Sequence, residues 1–259
     1  MAFTTLDQES AAGGDTTPTA LSFRDISMVY GDGTEAIAHA SFDVRPGEFV
    51  SVVGPSGCGK STLLRIASGL LKHTGGMVNV DRESVGYVFQ DPTLLPWRNV
   101  MRNVELLLEL HGVSKEERRA AAQKNIDLVG LTGFENHYPK RLSGGMKMRA
   151  SLARSLARQP KVFLFDEPFG ALDEITRERL NDELLKIFVA ERFAGLFITH
   201  SIQEACFLST RVLVMSSRPG RITAEFEIPF PYPRRPELRY DPAFAELSGR
   251  VSEALKEQS

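Results

Sequence analysis

Residues Gly54–Ser61 read GPSGCGKS and satisfy the phosphate-binding pattern G-x-x-x-x-G-K-[ST]. Glycines at 54, 57 and 59 let the backbone turn tightly and aim its N–H groups at phosphate oxygens. The helix expected to begin near Lys60 adds its positive N-terminal end. Lys60 supplies a point charge for β- and γ-phosphates, and Ser61 a hydroxyl for Mg²⁺. Gly54, Pro55, Ser56, Gly57, Cys58, Gly59, Lys60, Ser61 and Thr62 are therefore the predicted phosphate cradle. The apolar run Phe49–Val53 precedes it and helix-forming residues Thr62–Leu71 follow, so the motif has the strand–loop–helix setting that it needs.

A second apolar strand, Val162–Asp166, ends in the pair Asp166 and Glu167. Asp166 suits a water-mediated hold on Mg²⁺, a cation that keeps much of its hydration shell. Glu167 is the candidate to orient or deprotonate an attacking water. Gln90 follows the apolar strand Val85–Phe89, and His200 follows Leu196–Thr199. A histidine at a strand end is by itself more often structural than catalytic. Leu142–Met146 reads LSGGM and lies between the phosphate loop and the DE pair.

This combination of GPSGCGKS, LSGGM and VFLFDE resembles the ATP-binding cassette (ABC) superfamily over essentially the whole chain after its first residues. The resemblance implies an ATPase with ATP and Mg²⁺ as ligands. Its fold would be α/β, a P-loop NTPase with a RecA-like core, an antiparallel β subdomain and an inserted α-helical subdomain. It implies that Gln90 contacts Mg²⁺ and the attacking water, and that His200 contacts the γ-phosphate. The catalytic set is then Lys60, Gln90, Glu167 and His200, with Ser61, Gln90 and Asp166 toward the metal. Tyr30 matches the aromatic that stacks on adenine; an ordinary strand tyrosine remains the other reading. Ser143, Gly144 and Gly145 would cap ATP held by a second cassette, with hydroxyl, backbone N–H groups and helix N-terminus. Asp173, in ALD, matches the loop that runs along the dimer interface.

Alternating residues from Leu21 to about Ser51, with a turn at Gly31–Gly33, predict the antiparallel subdomain. From Asp91 to about Gln159 the pattern becomes helical, including Asn103–His111, Lys115–Val129 and a helix near Met146–Arg158. The basic residues of that last helix, Lys147, Arg149, Arg154 and Arg158, are expected to be mostly solvated. A charged amphipathic helix, Thr176–Glu191, and late strands Thr210–Met215 and Arg221–Ile228 follow. The chain past Pro229 is rich in proline and arginine and ends in a helix near Pro242–Lys256. It reads as a structural strap or a regulatory segment. The expected division is a disordered tail over 1–20 and one nucleotide-binding domain over 21–259, with the helical subdomain at about 91–159 and the extension at about 229–259.

The chain has 259 residues and a formal net charge of −2, which gives no electrostatic drive toward nucleic acid. No run approaches the ~18 apolar residues of a membrane span. The N-terminus lacks the basic start and apolar stretch of a secretory signal. Cys58 and Cys206, the two cysteines, imply a reducing compartment. Cys58 is a small filler of the loop or a thiol whose alkylation stops hydrolysis.

Pro92–Asn99, PTLLPWRN, carries the single tryptophan, Trp97. The resemblance implies a groove here, near Gln90–Asn99, that receives a helix of a transmembrane permease subunit. Packing of Trp97 into its own helical subdomain is the competing reading. LSGGM continuing as KMRASLARSLA, then VLVMSSRPGRI and PYPRRPEL, resembles ATP-binding subunits of importers for nitrate, sulfonate, taurine and bicarbonate. The short stretch between Gly75 and Gln90 departs from the usual longer hairpin. The resemblance implies a dimer or pair of cassettes on the cytoplasmic face of the membrane, and an external solute-binding protein as an indirect partner. A soluble ABC ATPase, for example in iron–sulfur assembly, is the alternative.

Overall fold

A computed structural model describes residues 18–258. The elements run β1 (Leu21–Val29), β2 (Glu35–Val44), β3 (Phe49–Val53), α1 (Lys60–Ala67), β4 (Gly75–Val80), β5 (Val85–Val88), α2 (Val100–Val104), α3 (Leu106–Leu110) and α4 (Lys115–Leu128). They continue with α5 (Gly144–Leu156), β6 (Val162–Asp166), α6 (Glu174–Glu191), β7 (Ala194–Ile198), α7 (Ile202–Leu208), β8 (Arg211–Met215), β9 (Ile222–Glu227) and α8 (Pro242–Lys256). Residues 1–17 of the tail expected over 1–20 lie outside the described residues.

The main sheet has the order β5-β6-β7-β3-β8-β9 and is parallel except for the β8–β9 pair. Strands β3 and β7 are buried along their whole length, as β-branched and aromatic runs covered on both faces must be. One core face holds Phe49, Phe165, Phe193 and Phe197 with ring centroids about 5.7–6.4 Å apart around Phe49, distances at which aromatic rings attract. Consecutive parallel strands require crossovers, so β3, β5, β6 and β7 all direct their carboxyl ends to one edge.

The antiparallel sheet has the order β2-β1-β4. This corrects the expectation that it would be built from about 21–51 alone. Phe49–Val53 belongs to the parallel sheet, and Gly75–Val80, after the phosphate loop, completes the small one. Period-two alternation marks a half-buried strand but says nothing of its partner.

Helices α2–α5 occupy the chain between β5 and β6. Three of the basic residues on or just past α5 depart from expectation. Arg154 is 8% exposed and donates to the carbonyls of Pro92 and Thr93 and to the Thr93 hydroxyl. Arg149 donates to the carbonyls of Val129 and Gly130, and Arg158 to that of Glu83. These guanidiniums reach loops on neighbouring segments, which a sequence periodicity does not reveal. Burial lowers the affinity of the Arg154 guanidinium for its proton.

Past β9 the chain crosses the body as a strap. Arg234 donates to the carbonyls of Cys206, Phe207 and Phe230, and Phe244 and Val251 of α8 are buried. Arg154→Ala should cost about 2–3 kcal/mol, since buried carbonyls lose charged donors. Urea denaturation checks this; a loss under 0.5 kcal/mol would contradict the clamp.

Candidate nucleotide site

The phosphate loop leaves β3 at the carboxyl edge of the sheet. Gly59, at φ 107°, occupies the N-cap of α1, and no side chain caps that helix. A β-carbon there would lie 2.8 Å from the Ala36 carbonyl oxygen, so only glycine fits. The first-turn N–H groups of α1 therefore point into the loop, as an anion site requires. Lys60 is buried and its Nζ donates to the carbonyls of Gly54 (2.8 Å) and Pro55 (2.9 Å). Gly54 and Pro55 thus hold the ammonium at the loop.

The Ser61 hydroxyl donates to Asp166 Oδ1 at 2.7 Å, which joins α1 to the end of β6. Tyr87 donates to the other carboxylate oxygen at 3.2 Å. Burial, with the Asp166 charge beside it, pushes the Tyr87 phenol up and keeps it a donor. Sequence reasoning missed Tyr87. It sits at an inward position of β5, two residues before Phe89, and looked like an ordinary strand aromatic.

Glu167 has φ 44°, in the left-handed region. Such strain in a non-glycine residue persists only where its surroundings hold it; here the Glu167 N–H donates to the Ile198 carbonyl at 3.0 Å. Its Oε2 lies 3.4 Å from His200 Nδ1. His200 is carried by the turn after β7, whose neighbours Thr199 and Ser201 are fixed by the Ser201 N–H bond to the Thr199 hydroxyl.

Tyr30, Ser56, Gly57, Gly59, Lys60, Ser61, Thr62, Gln90, Glu167 and His200 line one cavity of about 490 Å³. Ala36 and Arg218 complete it, and neither was singled out from sequence. The Tyr30 hydroxyl lies 3.1 Å from the Thr62 hydroxyl, which places the aromatic at the cavity wall. A larger cavity, about 740 Å³, opens at the other end of the strands around Pro46, Gln159, Lys161 and Arg192. It holds none of this constellation.

Ser143, Gly144, Gly145 and Asp173 do not line the cavity. Ser143 caps α5, its Oγ accepting from the Met146 N–H at 3.3 Å, and stands exposed with Gly144. Asp173 caps α6, accepting from the Thr176 N–H at 2.9 Å. Both caps are on the surface.

Burial separates the two readings of Cys58. Its side chain is 1% exposed and does not line the cavity. Burial pushes its thiol up, away from the reactive thiolate. It is the filler, packed under the loop.

Trp97 is 70% exposed and does not pack into the helical segment. The loop that carries it is nonetheless fixed. Buried Asn103 accepts from the Leu95 N–H and donates to the carbonyls of Leu95, Arg98 and Asn99. With Arg154 on Pro92 and Thr93, two buried polar side chains hold residues 92–99. Asn103 escaped sequence reasoning because its signal, a polar residue on an apolar helix face, needs the loop's position to be read.

Comparison with known proteins decides the family. A family model described as ABC transporter matches residues 37–170. The nitrate import ATP-binding protein NrtD of Synechocystis sp. is 44% identical over 85% of this chain and 88% of its own. The chain belongs to the ABC transporter family. The taurine import ATP-binding protein TauB of Rhizobium johnstonii is 43% identical over 87% of this chain and 91% of its own. The dimeric ATP-binding cassette MJ0796, solved in a post-hydrolysis state bound to ADP and Pi, matches with a TM-score of 0.72 and 32% identity over 81% of this chain and 99% of its own. The protein is an ATP-binding ABC ATPase with the P-loop NTPase fold. No helix among the described residues of this cassette is long and apolar enough to cross a membrane.

Since Cys58 is buried, N-ethylmaleimide at pH 7 should modify it at least about 100-fold more slowly in the folded cassette than in urea. Cys58→Ala should retain ATPase activity. Mass spectrometry of the labelled protein checks the first. Rapid native labelling with loss of activity would contradict the burial.

Proposed function

We propose that this cassette powers uptake of a small anion or organic solute, of the nitrate, sulfonate or taurine kind, through separate membrane subunits. The nitrate and taurine import names of two relatives support this reading over a soluble ABC ATPase. The observation that carries the chemistry is the convergence of Lys60, Ser61 and the Glu167–His200 pair on one cavity, with Asp166 joined to it through the Ser61 hydroxyl.

Tyr30 takes the adenine and Lys60 the β- and γ-phosphates, with Ser56 to Thr62 as the cradle. The hydroxyl of Ser61, the carboxylate of Asp166 and the side-chain oxygen of Gln90 form an all-oxygen donor set, which suits Mg²⁺. Among the described residues there is no cluster of three His, Cys, Asp or Glu side chains for a metal. That fits a cation held mainly by nucleotide and water. When bound, Mg²⁺ neutralises phosphate charge. Glu167 orients the attacking water and receives its proton, while His200 holds the transferring phosphoryl in line. The carboxylate–imidazole contact at 3.4 Å holds the two side chains beside each other.

Two copies close face to face, so that Ser143, Gly144 and Gly145 of one reach the ATP of the other. The Ser143 oxygen accepts the Met146 N–H, which leaves the hydroxyl proton available to a phosphate. Asp173 lies along the contact. Closure moves the permease subunits through the loop 92–99, with exposed Trp97 as the anchor. The cassette then sits on the cytoplasmic face of the membrane, and a solute-binding protein outside selects the cargo.

Glu167→Gln should slow hydrolysis by about 10²–10³-fold while ATP binding persists and a dimer accumulates. Single-turnover kinetics and sedimentation check this; an active, monomeric variant would remove Glu167 from its role. A tagged pull-down from detergent-solubilised native membranes tests the transport reading. A multi-span protein should come down with the wild type and be lost from Trp97→Ala, whose own ATPase activity should stay within about twofold. Recovery of soluble partners alone would overturn it.

A further inference from the structure

The loop from Ser216 to Arg221 is bound to itself and to the phosphate loop. The Ser216 hydroxyl donates to the Pro219 carbonyl and accepts from the Arg221 N–H. Gly220 exchanges hydrogen bonds with β2, its N–H on the Ala36 carbonyl and its carbonyl on the Ala38 N–H. A β-carbon at Gly220 would collide at 2.1 Å with the Cys58 carbonyl oxygen. The loop is therefore seated against the nucleotide site.

That seating presents Arg218 at the cavity wall. Its Nε and Nη2 donate to the Gly57 carbonyl at 3.2 and 2.9 Å. Arg218 is exposed and forms no ion pair among the described residues. Its Nη1 group makes no hydrogen bond among them. Asp32, in the turn after Tyr30, is near enough to feel the Arg218 charge. Its carboxyl is held low mainly by the Thr34 N–H, and the Arg218 charge adds to this. Arg218 thus shares the cavity wall with Tyr30 and is anchored on the phosphate loop at Gly57.

Lys60 and Arg218 are the two Lys or Arg side chains that line the cavity. Lys60 enters the loop from within, while Arg218 covers its outer side. A triphosphate carries more charge than one lysine and one Mg²⁺ neutralise. A guanidinium with unused donors, held by a neutral carbonyl, is suited to the remainder.

We propose that Arg218 is a further ATP-binding residue, which donates to an oxygen of the triphosphate from the outer side of the phosphate loop. This rests on the cavity being the ATP site. An alternative placement would have Arg218 pair with an acidic group of a second cassette.

The test measures ATP, ADP and adenosine binding by titration calorimetry on the full chain carrying Glu167→Gln. Arg218→Ala, Arg218→Lys and Lys60→Ala are each added to it. Arg218→Ala should weaken ATP about tenfold at concentrations where the chain is monomeric. It should weaken ADP less and leave adenosine unchanged, and Arg218→Lys should recover most of the loss. Melting temperatures within about 3 °C of the parent show that the variants are folded. Unchanged ATP affinity in Arg218→Ala, beside a large loss in Lys60→Ala, overturns the proposal alone. Unchanged monomer affinity with a weakened ATP-bound dimer overturns it in favour of the second cassette. If Lys60→Ala binds ATP normally, the cavity itself is not the site and both readings fail.

Discussion

The bond from the Ser61 hydroxyl to Asp166 spans a sheet in which β7 lies between β6 and β3. It exists because parallel strands, buried on both faces, end at one edge. Lys60 and Ser61 follow β3, Gln90 follows β5, Asp166 and Glu167 end β6, and His200 follows β7. Each side chain is a few residues from a strand that cannot shift register without turning core residues to solvent. The site's precision is borrowed from the core.

Around that edge the chain uses the same device repeatedly: a buried polar side chain holds the backbone of a loop. Asn103 and Arg154 hold the segment that displays Trp97. Arg234 holds the C-terminal strap. Each replaces regular hydrogen bonding in a region with none, so that a surface loop can be stiff. A stiff loop can pass a displacement between a nucleotide site and a docking partner, where a slack one would absorb it.

Helix ends divide into two kinds here. Ser143 and Asp173 cap α5 and α6 with their own side chains. The N-terminus of α1 has a left-handed glycine in place of a capping side chain. The N–H groups that begin α1 are thus left without a side-chain acceptor, while α5 keeps an exposed Gly144 at its start. This division suits a site completed by two copies.

The chemistry was legible in residue types and short spacings. GPSGCGKS, LSGGM and VFLFDE each carry their function in residue type and spacing over a few positions, which local turn and strand geometry can satisfy. Strand ends at Asp166 and His200 were legible because apolar runs stop there. Which strands share a sheet was settled by packing: it placed Phe49–Val53 in the core and Gly75–Val80 in the small sheet. It also decided that Cys58 is buried, that Arg154 is a clamp, that Arg218 lines the cavity and that Tyr87 bonds Asp166. These outcomes depend on contacts between segments tens to over a hundred residues apart. Local periodicity carries no information about such contacts, because pairing is settled by packing of the whole core.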